Sequence, residues 1–361
     1  MADKETGVQS YSSDPFPALG TVPVGLGPEG IALAPQLRRG FVACSRSNSV
    51  TVFDMDTLAA VGEVPVGNEP IGLVYDQTRK RVFTSDARSD TVSAIDATTL
   101  RVIGQIPVEA YPAGIGLYAE KRKLYCGNTG ANTVSVIDAD TLQVLAVVPA
   151  KLAAGSLGAN PARDEVYCVN FGDASITIID GTTNAVKGEI KVDYAPCKIA
   201  IDSARARAYV ANSLVSTVAV IDLNKQKVVA TIPVERAPVG MATGKMGARI
   251  YTANRGTGKI SVIDQASGKE WARVPVGEAP GDLAVDEQTD TIFTSNAGSN
   301  TVSVFRDHLQ SKPKELPKTA KHPLVGQPVP PFRLPDMVTG QERTSAEWQG
   351  KPYIINMFAS W

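Results

Sequence analysis

One six-residue pattern returns at a fixed interval along this chain. At its clearest it reads Thr-Val-Ser-Val-Ile-Asp, residues 133–138, an alternating strand entered from an Asn/Gly-rich turn at 128–132 and closed by Asp138. The closing Asp falls at Asp54, Asp96, Asp138, Asp180, Asp222 and Asp264, each 42 residues after the last, and the series stops where Arg306 takes the place. A fixed period of about 20 to 50 residues marks a repeat architecture, in which each unit buries its faces against its neighbours.

Residues 21 to 314 divide into seven units of 42. Unit two, residues 63 to 104, contains Ile-Gly-Leu-Val-Tyr-Asp, Arg-Val-Phe-Thr-Ser-Asp and Thr-Val-Ser-Ala-Ile-Asp, and leads into a fourth run of the type Arg-Val-Ile-Gly-Gln-Ile-Pro-Val. Short strands spaced by about 8 to 12 residues indicate all-β structure, and four per repeat of about 40 to 45 residues indicates propeller blades. The expected fold is therefore an all-β, seven-bladed β-propeller.

Positions in phase support this. Phe41, Phe83, Tyr125, Tyr167, Tyr209, Tyr251 and Phe293 are aromatic in every unit, as packing between blades requires. Phe53, Ile95, Ile137, Ile179, Ile221, Ile263 and Phe305 are all large and apolar, while Ala32, Val74, Gly116, Gly158, Ala200, Ala242 and Ala284 are all small. Small residues suit the strand nearest the axis, so Pro-Ile-Gly-Leu-Val-Tyr-Asp is expected innermost and the Ile-Pro-Val strand outermost. The last blade then lacks an outer strand. The N-terminal stretch, roughly Leu19 to Val24, is expected to supply it and so remove an exposed edge. The repeated Asp is read as capping the turn between strands three and four. The repeated Asn (Asn128, Asn170, Asn212, Asn254, Asn296) is read as opening the turn between strands two and three.

Three signatures, Tyr-Val-Ala-Asn (209–212), Thr-Val-Ser-Val-Ile-Asp (133–138) and Ile-Pro-Val (106–108), resemble the YVTN or YncE-like (NHL-type) β-propeller repeat over residues 19–306. The Trp-Asp dipeptide of WD40 blades is absent. Unit four departs most: Ala154 and Ser156 replace the usual Pro and Gly, and Pro149-Ala150 stands for Pro-Val.

Beyond residue 306 the period is lost. Residues 1–18 are read as an N-terminal arm, 19–306 as the propeller and 307–325, rich in Lys and Pro, as a linker. Residues 326–361 carry a different pattern: Pro331-Phe332-Arg333-Leu334 as a short strand, Val338-Thr339-Gly340 as a turn, and Tyr353 to Phe358 as a buried run opening on Ala359-Ser360-Trp361. Pro330-x-Phe332-x-Leu334, Gly340, Gly350-Lys351-Pro352 and Asn356-x-Phe358-Ala359-Ser360-Trp361 resemble the start of a redoxin domain, the AhpC/TSA and TlpA-like branch of the thioredoxin fold. In that family a nucleophilic Cys of a C-x-x-C follows. The chain stops at Trp361, so it is read as a truncated α/β thioredoxin-like segment of a longer protein, without redox activity as it stands.

The net charge of -1 and pI of about 6.2 give no basic excess for nucleic acid. No apolar run approaches the length of about 18 residues needed for a membrane span, and the polar start MADKETGVQSYSSDP is not a signal peptide. An extracytoplasmic or periplasmic location is implied only by the two resemblances. Cys44, Cys126, Cys168 and Cys197 form no C-x-x-C and are read as small buried apolar residues. The two histidines, His308 and His322, both lie outside the ring, so no metal, haem or other cofactor and no Ser/His/Asp triad is expected.

The remaining candidate site is one mouth of the central channel. The loops joining strands two to three and four to one carry Arg46, Arg88, Phe171 and Arg255, with Tyr111 and Tyr194 nearby. Mixed Arg and aromatic side chains make good contact residues, and a protein or small-molecule ligand is expected there on a monomeric ring. Two functions follow. The parent is a thiol–disulfide oxidoreductase or thiol peroxidase, with a redox partner thiol protein, whose propeller docks a partner or substrate; alternatively, the chain is a non-catalytic binding scaffold.

Overall fold

The computed structural model describes residues 15–244 and 248–308, together with the backbone of two short strands further on. The chain forms two compact units, Met1–Gln310 and Ser311–Trp361. In the first, seven four-stranded antiparallel sheets follow one another in chain order. Blade 2 is typical: Pro70–Asp76 innermost, then Arg81–Asp86, Thr91–Asp96 and outermost Arg101–Pro107. This is the expected seven-bladed all-β ring, with the expected radial order.

Alternation along each strand builds the core. The in-phase aromatics, from Phe41 to Phe293, are all buried. In blade 2, Phe83 lies between Val74 of the inner strand and Ala94 of the third. The outermost strands bury one side chain each on the inner side, Val22, Val64, Ile106, Val148, Ile190, Ile232 and Val274, and expose most of the rest.

The seventh blade is closed from the other end of the chain. Ala18–Pro23 pairs antiparallel with Thr301–Arg306, bringing Thr21 opposite Ser303 and Val22 opposite Val302. Gly27 N–H donates to Asn300 Oδ1 across 273 positions of sequence.

The innermost strands crowd the axis. A Cβ placed on Gly114 would lie 2.0 Å from the carbonyl oxygen of Gly155 in the next blade. The equivalent Gly30, Gly72 and Gly240 would meet neighbouring backbone oxygens at 2.5, 2.5 and 2.4 Å. No side chain fits at such distances. Each inner strand is also bulged at this level: between Pro70 and Leu73 an extra residue interrupts the pairing with the second strand, and the other six blades share the irregularity.

Charged side chains stitch blade to blade on the opposite face. Arg39 Nη1 donates to the carbonyls of Ala97 and Thr98 at 2.7 and 3.0 Å in the following blade. Arg81 does the same to Ala139 and Asp140, and Lys123 to Gly181 and Thr182. The repeated Asp caps its turn as expected: Asp96 Oδ1 accepts from the amides of Thr98 and Thr99 at 2.9 and 2.7 Å.

The repeated Asn is structural too. Asn128 Nδ2 donates to Thr133 Oγ1 and Ser135 Oγ, tying strands two and three from within. Blade 2 carries Asp86 here instead. Its Oδ2 accepts from Ser93 Oγ at 2.6 Å and Thr91 Oγ1 at 3.2 Å, while the buried Oδ1 has no partner.

In the second unit, Arg333–Pro335 pairs antiparallel with Glu342–Thr344. The rest of the proposed redoxin segment, including the run from Tyr353 to Trp361, lies outside the described residues. Among the described residues no helix is long and apolar enough to cross a membrane.

Burial pushes the Asp86 carboxyl up to about 6, against hydrogen bonds that act the other way. The folded state therefore holds its proton through a window, from about pH 4 to pH 6, in which the unfolded chain has lost it. Stability from this group is full below that window and falls as pH rises through it, by on the order of 2–3 kcal/mol. Asp86→Asn installs the residue used by five other blades. It is expected to raise the melting temperature at pH 7.5, with the difference shrinking as pH is lowered towards 4 in a thermal melt series.

Candidate site at the channel mouth

The bulges in the seven inner strands determine what faces the axis. The two residues at each bulge are Glu29-Gly30, Ile71-Gly72, Ala113-Gly114, Gly155-Ser156, Cys197-Lys198, Val239-Gly240 and Gly281-Asp282. All of these but Gly240, together with Thr129, Phe171 and Arg255 from the loops between strands two and three, line a cavity of about 330 Å³ at one end of the channel.

Its wall has two sectors. On one side two ion pairs bridge over intervening blades. Lys198 Nζ of blade 5 lies 2.5 Å from Asp282 Oδ2 of blade 7, and Arg255 Nη2 of blade 6 lies 2.6 Å from Glu29 Oε1 of blade 1. Asp282 is the more enclosed acid, with its side chain 13% exposed. Its position is set locally: its N–H donates to Ser295 Oγ and its Oδ1 accepts from Leu283 N, each at 2.9 Å. Ser295 Oγ also donates to the carbonyl of Glu29, tying the two acidic strands together. On the other side, blades 2 to 4 present Ile71, Leu73, Ala113, Ile115 and Phe171. Such a wall can bind a ligand with an apolar body and charged groups of both signs.

The six residues singled out in the sequence all belong to loops at this end, but only Phe171 and Arg255 line the cavity. Arg46 is committed to the adjacent blade, donating Nη2 to the carbonyl of Ala297 at 3.0 Å. Arg88 and Tyr111 meet on a shared acceptor: Arg88 forms an ion pair with Glu69, and Tyr111 OH donates to the same carboxylate at 2.7 Å. Tyr194 projects from the loop entering blade 5 and is 69% exposed. Leu152 and Leu214, also in loops, are exposed as well.

Four residues of the wall, Glu29, Cys197, Lys198 and Asp282, escaped the reading from sequence. The signal for two of them was present. At one phase the units carry Gly30, Gly72, Gly114 and Gly240, and the exceptions are Ser156, Lys198 and Asp282. A charge where the repeat calls for glycine is a departure that packing alone does not require.

Cys197 corrects one expectation. Cys44, Cys126 and Cys168 are buried, but Cys197 is half-buried on the cavity wall. Its Sγ lies 3.1 Å from the carbonyl of Pro238 and 3.4 Å from that of Ala211, and burial pushes the thiol up to about 12. A thiol so shifted is protonated at neutral pH and is a poor nucleophile. Among the described residues no group of three or more His, Cys, Asp and Glu is placed to hold a metal ion.

A family model described as "Lactonase, 7-bladed beta-propeller" matches residues 157–330. Among solved structures, a chain of Kuenenia stuttgartiensis hydrazine synthase aligns with a TM-score of 0.71 at 19% identity, covering 84% of this chain and 99% of that one. No curated protein matches. At that identity the structural likeness speaks for the fold alone, and with the family model it places the chain among seven-bladed propellers.

The ion pairs of the wall predict a simple asymmetry. Lys198→Met leaves the Asp282 carboxylate without its cation and is expected to cost about 1–3 kcal/mol, while adding Asp282→Asn should recover most of that loss, because removing both charges also removes the desolvation penalty. Urea unfolding of the two variants and the parent measures both effects.

Proposed function

We propose that this propeller is a binding module whose ligand seats in the axial cavity, with its apolar part against blades 2 to 4 and its charged groups exchanging with the Lys198–Asp282 and Arg255–Glu29 pairs. The observation that carries this reading is the placement of those charges. Glu29, Lys198 and Asp282 stand on bulged inner strands whose equivalent positions are mostly glycine or apolar, Arg255 reaches in from a loop, and all four converge on one cavity rather than on the outer surface. The chemistry points to a small zwitterion or a compound with neighbouring amine and carboxylate groups. The YVTN-type assignment of the repeat is the finer reading of the same ring, supported by Tyr209-Val210-Ala211-Asn212.

Lactone hydrolysis, the activity in the name of the matching family model, is less well supported. It needs a group free to activate water. Glu29 and Asp282 are each held by a cation, and Cys197 is a neutral thiol. Titration calorimetry with a panel of amino acids, amines, carboxylates and lactones tests the proposal. Saturable binding of a zwitterion that weakens about tenfold (~1.4 kcal/mol) in the Lys198→Met/Asp282→Asn protein is expected, and lactones should not be turned over. Binding unaffected by that double substitution, or capture only of a protein at the rim, would count against the cavity as the site.

A second reading concerns the parent protein. The antiparallel pair Arg333–Pro335 and Glu342–Thr344 lies where the redoxin resemblance begins with a strand and a turn. On this reading the propeller docks a partner or substrate for a thiol–disulfide oxidoreductase or peroxidase, and the reactive thiol lies beyond Trp361. Reading the source gene past codon 361 decides it: a Cys is expected within the next few codons, and a stop codon there would end this reading.

A further inference from the structure

The face opposite the mouth holds a second feature. At the first position of the second strand, blades 1, 2 and 3 carry Arg39, Arg81 and Lys123, and each donates to two carbonyls in the turn of the following blade. Arg207 of blade 5 occupies the same position. The matching turn, at Gln265 and Ala266, is within the described residues, yet the Arg207 side chain makes no hydrogen bond or ion pair with it or with any other described residue, although Asp222 opposite it in the sheet feels its charge. Gln265 turns its amide towards blade 5 instead, donating Nε2 to Tyr209 OH at 2.6 Å and to Asp202 Oδ2 at 3.0 Å.

The unmade stitch leaves a cavity of about 550 Å³ between blades 5 and 6, lined by three guanidinium-bearing residues, Arg205, Arg207 and Arg249. The acids around it are already engaged. Asp202 holds Arg205 at 3.0 Å, Asp264 holds Arg249, and Asp222, opposite Arg207 in the sheet, faces Lys225 at 3.6 Å. Arg207 is left as the cation in excess. The Nε of Arg249 is enclosed, and its Nη1 is taken by Asp264. The Arg249 guanidinium is held in place by stacking on Trp271, 5.0 Å from the ring centroid. Arg207, half-buried and with no side-chain hydrogen-bond partner, shares this cavity with two further guanidinium-bearing residues on its own and the adjacent blade, an arrangement suited to an oxyanion from outside the chain.

We propose that the seam between blades 5 and 6 binds a small oxyanion group, a phosphate or carboxylate, held by Arg207 with Arg205 and Arg249 beside it. The planar guanidinium matches such groups through paired N–H donors. The site is separate from the axial cavity and does not depend on the function proposed for it.

The test is titration calorimetry of the full chain with inorganic phosphate and, separately, acetate, at constant ionic strength set with chloride. Saturable binding of one or both is expected. Arg207→Met should weaken it by about tenfold or more, and Arg207→Lys should retain part of it. Melting curves in chloride alone confirm that each variant is folded. Equal affinity in the parent and Arg207→Met proteins, or no saturable binding of either anion beyond chloride, overturns the proposal.

Discussion

Seven inner strands meeting at one axis is the constraint on which this structure depends. The backbone of one blade approaches the next so closely that a single carbon at Gly114 would fall 2.0 Å from a carbonyl oxygen. Glycine is therefore required at the seams from blade 1 to 2, 2 to 3, 3 to 4 and 6 to 7, where Gly30, Gly72, Gly114 and Gly240 face backbone atoms. Where the repeat carries Ser156, Lys198 or Asp282, the wall is built from side chains instead. The channel is thus asymmetric although the fold is a near-regular ring: the closed seams hold it together, and the others provide its chemistry.

Much of this was legible in the sequence, because it rests on periodicity. The 42-residue period gave the number of blades, the small in-phase positions gave the radial order, and the missing eighth Ile-Pro-Val strand pointed to closure by the N-terminus. Closure is observed at Ala18–Pro23, one residue from where it was expected. The turn-capping role of Asp96 and its equivalents followed from residue chemistry alone.

The site was less legible, for a physical reason. The reading from sequence looked for contact residues in loops; of the six it named, Phe171 and Arg255 line the cavity, while Arg46, Arg88, Tyr111 and Tyr194 belong to the rim. Three of the four charges that converge on the axis, Glu29, Lys198 and Asp282, sit within strands. They reach it because a bulge turns two consecutive residues of the inner strand out of the regular pairing. A bulge is a matter of register between two segments and has no local spelling. Lys198 and Asp282 could still have been found as breaks in a glycine phase; in repeat proteins the exceptions carry information that the consensus does not. Asp86 among asparagines and Arg207 among bound cations are exceptions of the same kind.

The closing strand has a consequence for the order of events at the ribosome. Ala18 to Pro23 leaves the ribosome first, but its partner, Thr301 to Arg306, is synthesised nearly three hundred residues later. Contacts so distant in sequence are slow to form and leave unpaired edges exposed while they wait. The first six blades can each complete four strands as they emerge, but the seventh cannot. Until the chain's beginning returns to its end, the nascent ring is an open arc with an unpaired strand at one edge, and its neighbours on a polysome carry the same edge and the same free strand. A strand meant to close its own ring could then close that of a neighbour, so dilution and a prompt return of the N-terminal segment matter more to this protein's yield than the stability of any single blade.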